Sequence, residues 1–128
     1  MSGRPRYEGF VPGRHQIDSY GNGGFRFADM SHRGSILALP GGIHAWPVLS
    51  VHDLTPAAFA PVVAEAAAIR ILLVGTGREA VFLPKAIREI LREAGIGVDI
   101  MQTGAAARTY NILVAEDRPV AAALIAVD

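Results

Sequence analysis

One short stretch, Ile69-Arg70-Ile71-Leu72-Leu73-Val74, constrains this chain more than any other. So apolar a run suits a strand covered on both faces rather than one with a wetted side. It ends in Gly75-Thr76-Gly77, and Pro84 then opens a segment in which Leu83, Ile87, Ile90, Leu91 and Ala94 recur at helical spacing. Lys85 and Glu89 form an i,i+4 pair on that helix, and Gly95 stops it. Ile96–Met101 is the next strand, so residues 69–101 read as a parallel βαβ unit. Thr103 then suits the cap of a helix running to about Ala115. Arg118-Pro119 leads into a last strand, Val120–Val127.

The first half has a different character. Residues 1–14 mix arginine, proline and glycine without period and are expected to form a flexible N-terminal arm or a loosely docked strand, ahead of a single domain over 15–128. His15–Tyr20 and Phe25–Asp29 flank Gly21-Asn22-Gly23-Gly24, a hairpin signal because asparagine and glycine tolerate positive φ. Ser35–Leu39 and Ile43–Val51 flank Pro40-Gly41-Gly42 in the same way, with Pro47 marking an edge or an interruption. Thr55-Pro56 is a helix start, and Pro61 limits or kinks that helix. The expected architecture is α/β: a mixed sheet covered by helices, with an additional β layer from the N-terminal hairpins.

Composition removes several classes of function. The chain has 128 residues, enough for one domain with a real core, and no cysteine, which excludes disulfides, thiolate metal sites and cysteine nucleophiles. Twelve basic and twelve acidic residues balance with no basic run, against non-specific nucleic-acid binding. Apart from Lys85 the basic residues are all arginine, the side chain capable of forked contacts to anions. The longest apolar stretch, Val120–Val127, is far short of a membrane span, and the N-terminus carries neither a secretory h-region nor an amphipathic transit helix. A soluble protein is expected, cytoplasmic in a bacterium or mitochondrial in a eukaryote.

Two segments carry a family resemblance. The first is Leu73-Val74-Gly75-Thr76-Gly77 with Phe82-Leu83-Pro84 shortly after it. The second is Met101-Gln102-Thr103-Gly104-Ala105-Ala106-Ala107-Arg108-Thr109-Tyr110-Asn111-Ile112-Leu113, followed by Glu116-Asp117-Arg118-Pro119-Val120-Ala121-Ala122-Ala123-Leu124. Together they resemble the MTH938-like (DUF498) family, which includes a mitochondrial respiratory complex I assembly factor and uncharacterised bacterial proteins. The resemblance runs from about Ile17 onward and is densest over 69–125. It implies a three-layer fold whose central mixed sheet has its final strand antiparallel to its neighbours. It also implies a role in binding or assembly, with complex I subunits or assembly intermediates as partners; it implies no reaction.

Gly75-Thr76-Gly77-Arg78-Glu79-Ala80 has the outline of a dinucleotide fingerprint, with Asp99 toward the end of the next strand. That chemistry needs a helix starting at the loop, whereas the helix start here is Pro84. Either the glycines only permit a tight turn, or exposed amides at the strand end, with Arg78, form a small anion nest. Thr103, Gly104, Arg108, Thr109, Tyr110 and Asn111 cluster on the next loop and helix, on the same sheet edge. As scaffold, Tyr110 fills the core, Thr103 caps and Asn111 bonds a loop carbonyl; as a site, they contact a ligand or partner. Glu116-Asp117-Arg118-Pro119 reads as a solvated turn in which Glu116 pairs with Arg118 or Arg108.

No catalytic set is recognisable. His15, His32, His44 and His52 lack ligand spacing, so no metal is expected, and no cofactor is called for. Ser50-Val51-His52-Asp53 holds triad letters without a nucleophile elbow. The chain is therefore expected to be a non-catalytic binding protein, monomeric or weakly dimeric, with one alternative. That alternative is a small-molecule site or enzyme using a polar pocket between the Gly75–Gly77 loop and the Thr103–Asn111 segment.

Overall fold

The computed structural model describes residues 7–128. Among the described residues nine strands form two sheets, and the larger has the order β1-β6-β5-β9-β7-β8. Its members are β1 (Phe10–Pro12), β5 (Ser35–Leu39), β6 (Gly42–Trp46), β7 (Ile71–Gly75), β8 (Gly97–Met101) and β9 (Val120–Leu124). The smaller sheet is β2 (Ser19–Gly21), β3 (Gly24–Phe27) and β4 (Met30–Arg33). The helices are α1 (Ala60–Ala64), α2 (Lys85–Glu93) and α3 (Thr103–Ala115).

The βαβ unit stands where its periodicity puts it: β7 and β8 are parallel, with Leu73 opposite Asp99, and α2 crosses between them. α2 buries Ile87 and Leu91 against one face of the sheet, together with Leu72, Val74, Ala121 and Ala123. α3 returns over the other face, placing Ala106, Ala107 and Tyr110 on Leu73, Val120, Ala122 and Leu124. Helices lie on opposite faces because both crossovers turn right-handed, one outward to the edge strand and one back over it.

β9 is the seam of the molecule. It runs parallel to β7 (Leu72 opposite Ala121) and antiparallel to β5 (Leu37 opposite Ala123). The final strand is thus antiparallel to one neighbour only, which corrects the arrangement implied by the resemblance. The two N-terminal hairpins also part company. The first turns at Asn22-Gly23, both at positive φ, and continues into β4 through a second two-residue turn at Ala28-Asp29. It makes the additional layer, where Phe25 and Phe27 pack with Ile17 over Ile36, Ala38 and Ile43. The second hairpin, β5–β6, belongs to the central sheet through the pairing of β5 with β9; Leu37, Leu39 and Trp46 face the side covered by α1 and α2, while Ile36, Ala38 and Ile43 face the side covered by α3 and the small sheet.

Local signals are met with small shifts. Thr55 Oγ1 accepts from the Ala58 amide, but the turn it starts is 3-10, and α1 comes next with Pro61 in its first turn. β6 stops at Trp46, before Pro47. Part of the expected N-terminal arm lies outside the described residues. Within them, Phe10–Pro12 pairs with Gly42–His44 as an edge strand, the docked-strand alternative, and an edge is where Pro12 can be accommodated.

Small residues set the spacing between β9 and α3. Ala121, Ala122 and Ala123 are fully buried between sheet neighbours, and Ala122 shares its side of the sheet with Ala106 and Ala107 of α3. Ala122→Leu should therefore force the helix off the sheet and lower unfolding stability by roughly 1–3 kcal/mol. Urea unfolding followed by circular dichroism measures this; an unchanged midpoint would mean that this layer has slack.

Candidate functional site

Both crossover loops emerge at one end of the sheet, as parallel β7 and β8 require, and there they bond to each other directly. The Thr76 amide donates to the Met101 carbonyl (3.1 Å), and the Thr103 amide to the Gly77 carbonyl (2.8 Å). Thr103 Oγ1 accepts from the Gly77 amide (2.9 Å) and donates to the Ile125 carbonyl (2.7 Å). The Ile125 amide in turn donates to the Gly75 carbonyl (2.9 Å). One hydroxyl, fully buried, thus joins the ends of β7 and β9 to the start of α3. Thr103 does not serve as the cap that its position in the sequence suggests. It lies inside the first turn of α3 and is spent on its neighbours, while Gln102 holds the capping position without a side-chain bond.

The surrounding candidates are taken up in the same way. A Cβ on Gly75 would come within 2.8 Å of the Thr103 backbone, so that glycine is demanded by close approach. Thr76 Oγ1 closes its own loop, accepting from the Val81 amide (3.0 Å) and donating to the Glu79 carbonyl. Gly77 sits at positive φ to make the turn. Gly104 is covered by the Tyr20 phenol from the small sheet, leaving no room for a side chain. Thr109 Oγ1 donates back to the Ala105 carbonyl (2.9 Å) within the helix. Tyr110 is buried in the core; burial raises its phenol above the ordinary value, and the Arg14 guanidinium pulls partly the other way.

Asn111 reaches the N-terminal segment rather than the glycine loop. Its Oδ1 accepts from the Ile17 amide (2.7 Å) and its Nδ2 donates to the Ile17 carbonyl (2.8 Å). A single side chain here replaces a strand partner for Ile17, whose own side chain enters the core. Arg14 fixes the same segment from the other side through the Arg118 and Val120 carbonyls (3.0 and 3.1 Å). Glu116 pairs with Arg118 at 3.8 Å, and both are well exposed.

Two candidates stay free: Arg78 and Arg108 are exposed and make no hydrogen bond or ion pair among the described residues. The structure does not bring them into one pocket. The cleft beside Gly77, of about 330 Å³, is lined by Leu49–His52, Thr76–Arg78 and Ile125–Asp128. Arg108 and Asn111 do not line it: Thr103 bonds the loop in their place, and the Asn111 amide is turned to Ile17. The dinucleotide outline also lacks its geometry, since α2 starts at Lys85 with residues 78–84 between it and the glycine turn.

Sequence reasoning missed the exposed apolar groups. Ile112 is 59% exposed on α3, one turn beyond Arg108, and Phe82 (90%) and Leu49 (80%) stand out near the cleft end of the sheet. The i,i+4 spacing of Arg108 and Ile112 was available as a signal. For Phe82 the signal was its place in a segment without periodicity just ahead of Pro84.

These contacts separate scaffold from surface by stability. Asn111→Ala leaves the Ile17 amide and carbonyl without partners and should cost roughly 1–3 kcal/mol. Arg108→Ala should stay within about 0.5 kcal/mol of the parent. Thermal melts of both variants test this, and an early-melting Arg108→Ala would place that arginine in the scaffold.

Known proteins carry the same fold and much of this sequence. An uncharacterised protein of Rhodobacter capsulatus is 40% identical over 94% of this chain and 91% of its own length. The mouse protein NADH dehydrogenase (ubiquinone) 1 alpha subcomplex assembly factor 3 is 34% identical over 85% of the chain, which spans 59% of that relative's length. Among solved structures, an outer membrane protein from Bartonella henselae superposes with a TM-score of 0.88 at 52% identity, covering 91% of this chain and 98% of that one. A Mth938-like domain from Bordetella pertussis gives 0.77 at 31% identity, covering 87% and 85%. With the profile of the protein family of unknown function DUF498/DUF598 matching residues 17–125, the chain belongs to that Mth938-like family.

Proposed function

We propose that this protein is a non-catalytic assembly protein that binds subunits or intermediates of respiratory complex I through the outward face of α3. The carrying observation is the pairing of Ile112, 59% exposed, with Arg108, which is exposed and unpaired among the described residues. Much of the rest of that helix is committed inward: Thr103, Gly104, Ala106, Ala107 and Tyr110 are buried, and Asn111 holds Ile17. Residues 108 and 112 are neighbours on one helix face. An aliphatic group beside a guanidinium, with no role in the fold, is a composition suited to a partner's surface.

The similarity to assembly factor 3 supports complex I as the target, by extension of that relative's role to this chain. Phe82, 90% exposed in the loop after β7, offers a second apolar contact. No helix among the described residues is long and apolar enough to cross a membrane.

Affinity isolation of the tagged protein from its native host, at native expression, should recover identifiable complex I subunits. Ile112→Ser should reduce that recovery several-fold without changing the melt, as expected of an interface residue worth more than about 1 kcal/mol. A deletion strain with normal complex I and no stable partner on isolation would remove this function.

A further inference from the structure

The small sheet has an outward face that neither the core nor α3 uses. Strand register puts Ser19 opposite Arg26 and Gly21 opposite Gly24 on β2–β3. On β3–β4 it puts Arg26 opposite Ser31 and Gly24 opposite Arg33. Because side chains alternate, these six residues share one side, while Phe25 and Phe27 point into the core. The result is a shallow groove of about 270 Å³ with a bare glycine floor and two arginines on its walls. Gly24 is bare because a Cβ there would strike the His32 carbonyl; beside Gly21 the space is open.

The charges in this groove are unbalanced. In a chain with twelve acidic and twelve basic residues, the lining holds Arg26 and Arg33 and no carboxylate. Diagonal neighbours on adjacent strands are roughly 7–8 Å apart at the backbone, so the two guanidinium groups can reach a common point above the floor. Arg26 is already oriented: its Nη1 donates to Ser31 Oγ at 2.6 Å. The Ser31 hydroxyl keeps its own proton for donation into the groove. His32 adds no group, as its ring lies between the Tyr7 hydroxyl (2.8 Å) and the Ser35 carbonyl (3.1 Å) on the inner side.

We infer that the outward face of β2–β4 is a binding site for a phosphoryl dianion, held between the Arg26 and Arg33 guanidinium groups with Ser19 and Ser31 as hydroxyl donors. Two forks carry two positive charges, matching a dianion better than a single carboxylate, and guanidinium N–H groups fit phosphoryl oxygens in pairs. The groove is slightly below the usual range of sites for drug-sized ligands, about 300–1,000 Å³. It therefore suits inorganic phosphate or a phosphate monoester with a short substituent.

The test is an amide and arginine side-chain NMR titration of the full chain with inorganic phosphate, phenyl phosphate and acetate at constant ionic strength. Inorganic phosphate should give saturable shifts confined to Ser19–Arg33, with a dissociation constant in the millimolar range or below. Arg26→Gln and Arg33→Gln should each weaken it about tenfold, the loss of a charge-assisted hydrogen bond, with all other signals unmoved. Arg33→Lys, which keeps the charge and loses the fork, should fall between. Tighter binding of phenyl phosphate would identify a phosphate ester as the natural ligand, and equal or weaker binding the free ion. Linear shifts without saturation, stronger binding of acetate, or full phosphate affinity in the double glutamine variant would each overturn the site.

Discussion

The Thr103 hydroxyl is the point on which the arrangement of the molecule turns. It accepts from Gly77 and donates to Ile125, so the loop after β7, the start of α3 and the exit of β9 are fixed by one side chain. The hydroxyl lies away from water, where an unpaired donor or acceptor costs about 1–3 kcal/mol. Serine would preserve the hydroxyl but would leave the volume of the threonine methyl group unfilled. The glycine at 75 exists because the Thr103 backbone comes so near. Two residues from distant parts of the sequence thus explain each other.

This knot also decides what the strand-end region can do. In an open α/β sheet, the crevice beyond the carboxyl ends of parallel strands is the usual ligand position. Here the amides of Thr76 and Gly77 are consumed by Met101 and Thr103, so the cleft beside Gly77 has neither amide free to hold an anion. A fold that elsewhere leaves an anion nest has used the same amides as mortar. The groups left facing outward are side chains: Arg78 and Phe82 on one loop, Arg108 and Ile112 on α3. At these positions the fold leaves side chains, not backbone amides, open to solvent.

How much was legible depends on how local each signal was. The βαβ unit was readable because apolar periodicity, Pro84 and Gly95 all act within a few residues of the structure they specify. The Asn22-Gly23 turn was readable for the same reason. β4 was not, because its turn places Ala28 and Asp29 at positive φ without a glycine to announce it. Nor was the seam: Val120–Leu124 has the same composition whether it runs parallel or antiparallel to a neighbour, and pairing with β5 and β7 is decided by the whole sheet. The scaffold role of Asn111 was foreseen in kind, yet its partner, Ile17, lies 94 positions away and left no mark in the local sequence.

The distribution of small residues ties these threads together. Gly104, Ala106 and Ala107 on α3 face Tyr20, Ala122 and Leu124 at close range, so the helix lies low on the sheet and its inner half has almost no freedom to vary. The same low seat lets Asn111 reach Ile17 with both ends of its amide and leaves Arg108 and Ile112 riding on the outer surface. Closely packed layers tolerate few volume changes, whereas exposed positions without special features tolerate most substitutions. The outward stripe of α3 and the two arginine positions on the outward face of β2–β4 are therefore where sequence can change at little cost to the fold, unlike Gly24 between those arginines. Arg108 and Ile112 on the first, and Arg26 and Arg33 on the second, are choices that stability alone does not make.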